Sequence, residues 1–360
     1  MTKTTRGSRR SKVAAELGRR RVLKAASVLT LGAAAGAIGF PAIVRSQQAK
    51  RLLKPLVAGL NSKEGDPSYN AVALVPKILR EKYDVQAEFQ IHPASSLSSD
   101  LGQLEAVQTG FIDITSHSTQ QFSQYDKGFD VVDLPYIFTD WEMYHRLAKS
   151  DIWKRQAAAF EAKVPLKVLP PTGSGGFRML ANNVRPLPEP GALQGLKFRS
   201  LTSALDVEMI KAWGGNPTPM AWTEVYTALQ QKVINGYHVQ PIWIFQFKHH
   251  EVLKYATEVK AIFSIQFQVM NINTWKSIPA AIQKPLIMAF EEAAQIAAEQ
   301  DRKAEDFYKA ELKKKGMEIY VPSAAEMKRW REAGEKVWTT AGKDVDKGLI
   351  GSIVKMRGTS

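Results

Sequence analysis

The segment that decides the fold reads GSGGFRML at residues 173–180, LQGLKFRS at 193–200 and PMAWTEVYTALQQKVINGYHVQP at 219–241. It contains two arginines, Arg178 and Arg199, each of which follows a phenylalanine in an alternating, strand-like run. A guanidinium group does not lose its charge in a protein, so inside a sheet it must meet an anion. That anion is either a carboxylate of the same chain or a ligand.

The length and composition of the chain indicate an ordinary globular protein with about two lobes. The chain has 360 residues, of which 44% are hydrophobic, and this is enough to bury a substantial core. We find no internal repeat and no low-complexity tract. The lack of cysteine neither supports nor excludes an oxidising compartment, because such a compartment permits disulfides without requiring them.

The positive charge is concentrated at the N-terminus. The net charge is +14, and residues 1–46 carry ten Lys and Arg against one acid, which places +9 of that charge there. The rest of the chain is modestly basic and has no RNP-like motif or basic stripe. We therefore expect no nucleic-acid partner.

Residues 1–46 have the features of an export signal. The stretch GRRRVLK at 18–24 fits the twin-arginine pattern, and a weakly apolar run with three glycines follows at 25–40. This run is shorter than the roughly 20 residues of a membrane span. We predict a Tat-type signal peptide over 1–46 and a periplasmic location. An uncleaved N-terminal anchor is the alternative.

Strands and helices alternate in the remaining sequence, which predicts an α/β protein with more than one crossover. The apolar, alternating run at 261–273 predicts a strand that crosses back, and 279–315 predicts a long helix. FIDIT at 111–115 predicts a buried strand that ends just before Ser116, His117, Ser118 and Thr119. Ligands gather at the carboxyl ends of strands in open α/β sheets, so these polar side chains are candidates for binding.

Catalytic and cofactor motifs are missing from the sequence. We find no H-E-x-x-H, no G-x-S-x-G, no cysteine nucleophile and no Walker phosphate loop. The glycines at 173–176 lack dinucleotide-fingerprint spacing and indicate a hinge or a tight strand entry. His249 and His250 are neighbours, and adjacent helical residues diverge by about 100°, so they form a poor chelating pair. We expect no cofactor and no metal.

The aromatic side chains after residue 220 allow two interpretations. Most aromatic residues at such spacing pack in a core. Trp222 and Tyr237, however, are predicted to lie on loops, where their rings can wall a ligand pocket. For the two arginines, a bidentate pair with a ligand carboxylate would be selective and would strengthen where water is excluded. The alternative is that each arginine pairs with an internal Asp or Glu.

Several long motifs in one order resemble the extracytoplasmic solute-binding receptors of TRAP transporters, in the dicarboxylate-receptor (DctP-like) family. The resemblance extends from about Lys54 to Tyr320. It rests on LEAVQTGFIDIT at 104–115, VVDLPYIFTD at 131–140, GFRML, LQGLKFRS, GGNPTPMAWTEVYTALQQKVING at 214–236 and HEVLKYATE at 250–258. It implies a two-lobed periplasmic solute-binding protein fold with mixed sheets, inter-lobe crossing strands and a long bracing helix.

The resemblance also implies a function. The chain would capture an organic acid by hinged closure of its lobes and deliver this carboxylate to the membrane subunits of a TRAP transporter. The principal carboxylate-binding arginine of the family falls on Arg199, in the G-L-K-x-R motif, and its second arginine falls on Arg178. An aromatic residue before the E-V-Y helix matches Trp222. We expect a monomer.

One segment departs from the family pattern. Where many relatives read D-G-Q-E-N-P, this chain reads NGYHVQP at 235–241, so the ligand-contacting asparagine of the family is absent. Gln240 or Tyr237 is expected to substitute for it. Together with Trp243, the aromatic residues favour a bulkier or aromatic-bearing carboxylate over a small dicarboxylate.

These inferences predict three segments. Residues 1–46 form the signal peptide. Residues 47–172 form lobe I, to which part of 260–305 crosses back. Residues 173–259 form the carboxylate-binding lobe II, with the C-terminal helices of 305–360 packed on it. On closure, polar side chains of lobe I are expected to complete the cavity: Asn61, Ser96 and His117.

Two rival functions remain open on sequence grounds. A periplasmic hydrolase or isomerase acting on organic acids would need a base near the arginines, and His117 and His238 are the candidates. A receptor for a different carboxylate importer would differ in its membrane partner.

Overall fold

Strands and helices alternate in the computed structural model, which describes residues 50–52 and 54–357. The predicted signal peptide therefore lies outside the described residues. The strands, in chain order, are β1 (Lys50–Arg51), β2 (Leu56–Leu60), β3 (Val85–Gln86), β4 (Phe89–His92), β5 (Ile114–Ser118), β6 (Leu166–Val168), β7 (Thr172–Phe177), β8 (Met179–Asn182), β9 (Lys197–Ser200), β10 (Asn216–Pro219), β11 (Gly236–Val239), β12 (Tyr255–Thr257), β13 (Phe263–Asn271) and β14 (Glu318–Tyr320).

Helices connect most of these strands. They are α1 (Pro67–Ala73), α2 (Val75–Tyr83), α3 (Asp100–Thr109), α4 (Trp141–Ala148), α5 (Asp151–Glu161), α6 (Ala204–Ala212), α7 (Val225–Gln230), α8 (Pro241–Gln246), α9 (Ile272–Ser277), α10 (Ala280–Lys314), α11 (Ala324–Glu335) and α12 (Lys347–Val354). The bounds follow local signals. Helix α3, for example, begins after Ser99, which accepts a hydrogen bond from Gly102 N, and ends at Gly110 in the left-handed region.

Two mixed sheets organise the fold. The first has the order β4-β2-β5-β13-β6, with β7 also paired to β13. In it β4, β2 and β5 are parallel, and β13 runs antiparallel to β5, β6 and β7. The second has the order β10-β9-β11-β8-β12-β14, in which β8 is antiparallel to both of its neighbours. The predicted α/β class with mixed sheets is confirmed.

The chain passes from the first sheet to the second around Arg178. Strand β7 pairs with β13 in the first sheet, Arg178 follows it, and β8 then enters the second sheet. Gly175 and Gly176 lie at φ +87° and +75°. A Cβ at Gly175 would collide with Ile242, and one at Gly176 would collide with Trp141, so only glycine fits this crossing.

Helix α10 is the predicted long helix, and it packs against α1, α2, β7 and α8. It therefore contacts elements on both sides of the crossing. Its buried stripe includes Leu286, Phe290, Ala293 and Ala297, at helical spacing. Pro285 lies inside the helix. Burial of the Phe290 side chain contributes roughly 2–3 kcal/mol to stability.

Two predictions near the site were wrong: the bounds of one strand and the element that contains Tyr237. Strand β5 spans Ile114–Ser118 and not 111–115, so His117 lies within the strand, and Phe111 before it is exposed. Tyr237 lies on strand β11 and not on a loop. In both places, pairing with a neighbouring strand overrides the local sequence pattern.

No helix within the described ranges is both long enough and apolar enough to cross a membrane.

Candidate functional site

A small cavity contains both arginines of the deciding segment. Its volume is about 40 Å³. Both sheets contribute to its walls, as do the loops that follow their strands. The lining residues are Asn61, Asp100, Ser118, Gln121, Arg178, Arg199, Leu201, Trp222, His238, Val239, Gln240, Trp243, Ser264, Ile265 and Gln266.

Arg199 is buried but makes little use of its donors. It lies on β9, between β10 and β11, so the strand ladder fixes its backbone on both sides. Its Nε donates to Met220 O at 3.2 Å, and its guanidinium lies 5.7 Å from the centre of the Trp222 ring. Its Nη2 has no hydrogen-bond partner among the described residues. A buried donor of this kind is costly unless something accepts from it.

Arg178 is buried to a similar extent, but each of its nitrogens donates to a neutral oxygen. Its Nε donates to Ser264 Oγ at 3.1 Å, its Nη1 to Gln120 Oε1 at 2.9 Å and its Nη2 to Ser118 Oγ at 3.0 Å. These acceptors come from β5, the turn after it and β13, all belonging to or following strands of the first sheet. Arg178 thus ties the crossing to the first sheet.

Neither arginine is neutralised by a direct ion pair. The arginine–carboxylate pairs within 4 Å that occur in residues 50–52 and 54–357 involve other arginines. Burial lowers the pKa of both guanidinium groups, and the charge of Asp206 opposes this shift at each. Since guanidinium keeps its proton in proteins, the cavity carries two positive charges. The alternative in which each arginine pairs with an internal carboxylate does not describe this structure.

His238 is a neutral group in the cavity wall. Burial, reinforced by the charge of Arg178, holds the pKa of its imidazole well below the ordinary value. Its ring packs edge-on against Trp213 with centroids 5.4 Å apart, and neither ring nitrogen makes a hydrogen bond of good geometry among the residues described, although the backbone of Arg178 opposes the lowering of its pKa. A neutral imidazole offers one donor and one acceptor.

Gln240, Trp243 and the crossing strand form one hydrogen-bonded network. Gln240 Nε2 donates to Ser174 Oγ at 3.2 Å, and Ser264 Oγ donates to Gln240 Oε1 at 3.2 Å. Trp243 Nε1 lies 2.9 Å from Asp66 Oδ2 and 3.1 Å from Ser174 Oγ. Because Ser264 also accepts from Arg178, the network joins the cavity wall to β7.

Buried carboxyl groups hold the crossing strand on the side of α10. Asp301 Oδ1 accepts from Gly175 N at 2.5 Å. Burial, together with the charge of Asp66, holds the pKa of Asp301 well above its ordinary value. The same effect of burial raises the pKa of Asp66. These acids make contacts with the backbone and side chains of the crossing and do not line the cavity.

Among the predicted site residues, the structure brings six together around the cavity: Arg199, Arg178, Trp222, Gln240, Trp243 and Asn61. The other three lie elsewhere. Tyr237 is buried beneath Trp222, and its hydroxyl lies 2.9 Å from His249 Nδ1. His117 is buried behind Asp100, with Nδ1 3.7 Å from Asp100 Oδ1 and Nε2 2.9 Å from Thr115 Oγ1. Ser96 is exposed on the loop before α3.

The aromatic residues pack on one another and do not open a large pocket. Trp222 meets Trp243 at 4.9 Å and Phe247 at 5.1 Å between ring centroids, both edge-on. They belong to one buried apolar cluster of the second sheet together with Tyr237. With a cavity of about 40 Å³, this packing gives no support to the expectation of a bulky or aromatic ligand.

Sequence reasoning missed several residues of the wall. Asp100, Gln121, Ser264 and Gln266 were not predicted, and His238 was considered only as a base, whereas Ser118, a candidate at the end of the predicted strand, does line the cavity. A signal for two of them was present. In β13 every residue is buried, yet Ser264 and Gln266 alternate with Ile265 and Phe267, which marks one polar face inside an apolar strand.

A larger groove, of about 470 Å³, lies apart from the arginines. It is bordered by α4, α5, the end of β6 and α10, with Lys167 paired to Glu161 at 2.8 Å in its wall. It contains no buried unpaired cation, and for that reason the arginine cavity is the stronger candidate for an anion.

Two sheets joined by crossing strands, with a cavity that holds two buried arginines between them, are features of a solute-binding protein. The chain matches the DctP family of bacterial extracellular solute-binding proteins, family 7, over residues 58–344, and it belongs to that family. The C4-dicarboxylate-binding periplasmic protein DctP of Rhodobacter capsulatus is 34% identical over 233 residues, covering 63% of this chain and 69% of that protein.

Two further relatives extend the comparison. The 2,3-diketo-L-gulonate-binding periplasmic protein YiaO of Escherichia coli is 25% identical over 297 residues, 81% of this chain and 88% of that protein. A TRAP periplasmic solute-binding protein of Haemophilus influenzae, crystallised with L-gulonate, is 26% identical with a TM-score of 0.79, covering 86% of this chain and 100% of that one. The predicted family and fold are confirmed.

The family also decides between the function classes. Its members are extracytoplasmic receptors that bind solutes, so the chain is a receptor and not an enzyme. The rival hydrolase or isomerase is not favoured. Of the two candidate bases, His117 lies behind Asp100 and does not reach the cavity wall, whereas His238 lies in the wall.

Proposed function

We propose that the protein is a periplasmic receptor that binds an organic acid through a carboxylate on Arg199. The observation that carries this proposal is the buried Nη2 of Arg199, which has no acceptor within the described chain. A carboxylate would accept from the guanidinium and neutralise its charge in a water-poor cavity, where such a bond is strong. Arg178 adds a second positive charge to the cavity wall.

Ligand binding would be coupled to closure of two lobes. Arg199 lies on the second sheet, whereas Asn61, Ser264 and Gln266 lie on or just after strands of the first. A ligand that contacts both groups stabilises the closed form by its differential affinity for that form. The glycines at 175 and 176, in left-handed backbone, provide the conformational freedom for a hinge. The predicted division into lobes at about residue 172 belongs to this proposal.

The relatives support the chemistry of the ligand. The proteins named above bind C4-dicarboxylates, 2,3-diketo-L-gulonate and L-gulonate, all of which carry a carboxylate. We infer a carboxylate ligand here too, delivered to the membrane subunits of a TRAP transporter by a monomeric receptor. The twin-arginine stretch at 18–24 supports export to the periplasm through the Tat route.

The experiment is native mass spectrometry of protein purified from its own periplasm, followed by calorimetry with the acid that is released. We expect an unchanged organic acid that rebinds to wild type and not to Arg199→Ala. Recovery of a neutral ligand, or equal affinity in the variant, would contradict the proposal. Import of the acid should also require the membrane subunits, which a transport assay with and without them measures.

A further inference from the structure

The polar groups of the cavity wall differ in kind on its two sides. On the second sheet, Arg199 and His238 present nitrogens without protein partners. On the other side, Asn61 Oδ1 and Gln266 Oε1 are buried acceptors without partners among the described residues, and the carboxylate of Asp100 lies beside them in the wall. One side of the wall thus suits a ligand group that accepts hydrogen bonds, and the other suits a group that donates them.

Asp100 differs from these two amides because its side chain offers only hydrogen-bond acceptors. The amides of Asn61 and Gln266 could present nitrogen after a flip, but a carboxylate offers oxygen in any rotamer. Asp100 is buried at the start of α3, where Oδ1 lies 3.4 Å from Ser95 Oγ and Oδ2 accepts from Gln121 Nε2 at 3.2 Å. Each oxygen has a second lone pair, so the carboxylate can accept from a ligand as well. It is the one carboxylate among the described lining residues.

A second carboxylate on the ligand would be unfavourable next to Asp100. It would face Asp100 as a like charge in a desolvated site, whereas a hydroxyl would donate to it. Arg178 offers positive charge to a second carboxylate, but each of its three nitrogens already donates to a protein oxygen, so it needs no further acceptor. An ammonium group is also disfavoured, because the wall has two guanidinium groups and one carboxylate, and is therefore net positive.

We infer that the receptor selects a small hydroxycarboxylic acid: its carboxylate binds Arg199, and its hydroxyl donates to Asp100, which favours the hydroxy acid over the matched dicarboxylate. This inference rests on the proposed function, in which Arg199 holds the carboxylate. The cavity volume of about 40 Å³ corresponds to roughly three water-sized spheres, so the test begins with short-chain acids.

The test uses two matched series in isothermal titration calorimetry. One comprises 3-hydroxypropionate, malonate, propionate and β-alanine; the other comprises 4-hydroxybutyrate, succinate, butyrate and 4-aminobutyrate. Within at least one series, we expect the hydroxy acid to bind on the order of tenfold or more tightly than its matched diacid, unsubstituted acid and amino acid. Tighter binding of the diacid or the amino acid, or no binding of either hydroxy acid, would overturn the inference.

The role of Asp100 is tested by Asp100→Asn, which keeps size and removes charge. We expect the preference for the hydroxy acid over the diacid to fall by roughly tenfold, mostly through tighter binding of the diacid. The control is Glu105→Gln, on the same helix but exposed, which should leave the preference unchanged. An unchanged preference in Asp100→Asn would refute the role of Asp100. If that variant does not fold, the wild-type series still decides the ligand class.

Failure of this inference can be told apart from failure of the proposed function. If Arg199→Ala removes the binding of whichever acid binds wild type, the role of Arg199 in binding the carboxylate is supported. This holds whatever the order of affinities among the tested acids. If the acids bind equally well to Arg199→Ala, the proposed function itself fails.

Discussion

The two ends of the cavity contain the same side chain in opposite states. At one end the Arg178 guanidinium donates to three neutral protein oxygens. At the other end Arg199 donates once, to a backbone carbonyl, and its Nη2 has no partner in the described structure. Both are more than nine-tenths buried, so burial alone does not distinguish them.

The comparison shows that a buried arginine can be either part of the scaffold or part of the binding site. Arg178 already has acceptors, so it contributes to the connection between the crossing and the first sheet. Arg199 lacks acceptors, so the protein carries the desolvation penalty of this group until an anion relieves it. Each of the following substitutions alters either Arg199 or the surroundings of Arg178.

The largest effect is expected for Arg199→Ala. Loss of a charge-assisted pair in a desolvated site should weaken binding of the native acid by on the order of 100-fold or more. The melting temperature of the ligand-free protein should change little, because a single hydrogen bond is lost. Calorimetry and thermal melts measure both quantities. Arg155→Ala, at an exposed arginine, is the control that should leave both unchanged. Undiminished affinity in Arg199→Ala would show that Arg199 does not bind the carboxylate.

Arg178→Met should lower stability more than it weakens ligand binding, which is the reverse of the effect expected for Arg199→Ala. It leaves Ser264, Gln120 and Ser118 without their donor, and should lower the free energy of unfolding by about 2–4 kcal/mol. Binding should weaken less than in Arg199→Ala. Chemical denaturation and calorimetry on the two variants give the comparison. If Arg178→Met were as stable as wild type, Arg178 would not be a scaffold residue.

The pH dependence of stability tests the surroundings of Arg178. Burial raises the pKa of nearby Asp133 to about 8, whereas its ordinary value is 3.8. The folded protein thus keeps a proton that the unfolded chain releases. The stabilisation from that proton is complete below about pH 4 and is lost as the pH rises towards 8, with a slope of up to ~1.4 kcal/mol per pH unit.

Asp133→Asn should flatten this slope, because the amide does not titrate. Asp66 and Asp301 have raised pKa values that act in the same direction, so part of the slope should remain. Denaturation at about pH 5 and about pH 7.5 measures the difference. Identical slopes in wild type and variant would show that Asp133 is ionised in the folded protein.

The smallest effect is expected for Ser264→Ala. This hydroxyl accepts from Arg178 and donates to Gln240, so its loss should cost about 1 kcal/mol and weaken binding several-fold. Ser277→Ala, on α9 and outside the cavity, should leave affinity unchanged. Equal affinities in the two variants would mean that the network does not position the cavity wall.

The parts of the fold that follow from local periodicity were predictable. The crossing strand at 263–271 and the long helix at 280–314 follow from alternation and from helical spacing, respectively. The boundary of β5 was not predictable, because pairing with β13 extends it through His117 and Ser118. The same extension turns His117 towards Asp100 and away from the cavity.

The parts of the site that depend on tertiary pairing were predicted less well. Arg199, Arg178 and Trp222 were found because motifs carry them. Asp100 was missed, since one acid at the start of a helix is indistinguishable from a residue placed there by the helix dipole. Tyr237 was misplaced, because its strand is defined by pairing with β8 and β9 rather than by its own sequence.

The most direct test of the central claim is a crystal structure of the protein with its native acid. We expect a ligand carboxylate oxygen within about 3 Å of Arg199 Nη2, with the bonds from Arg178 to Ser264, Gln120 and Ser118 intact. A carboxylate bound to Arg178, with Arg199 Nη2 satisfied by a protein group, would contradict it.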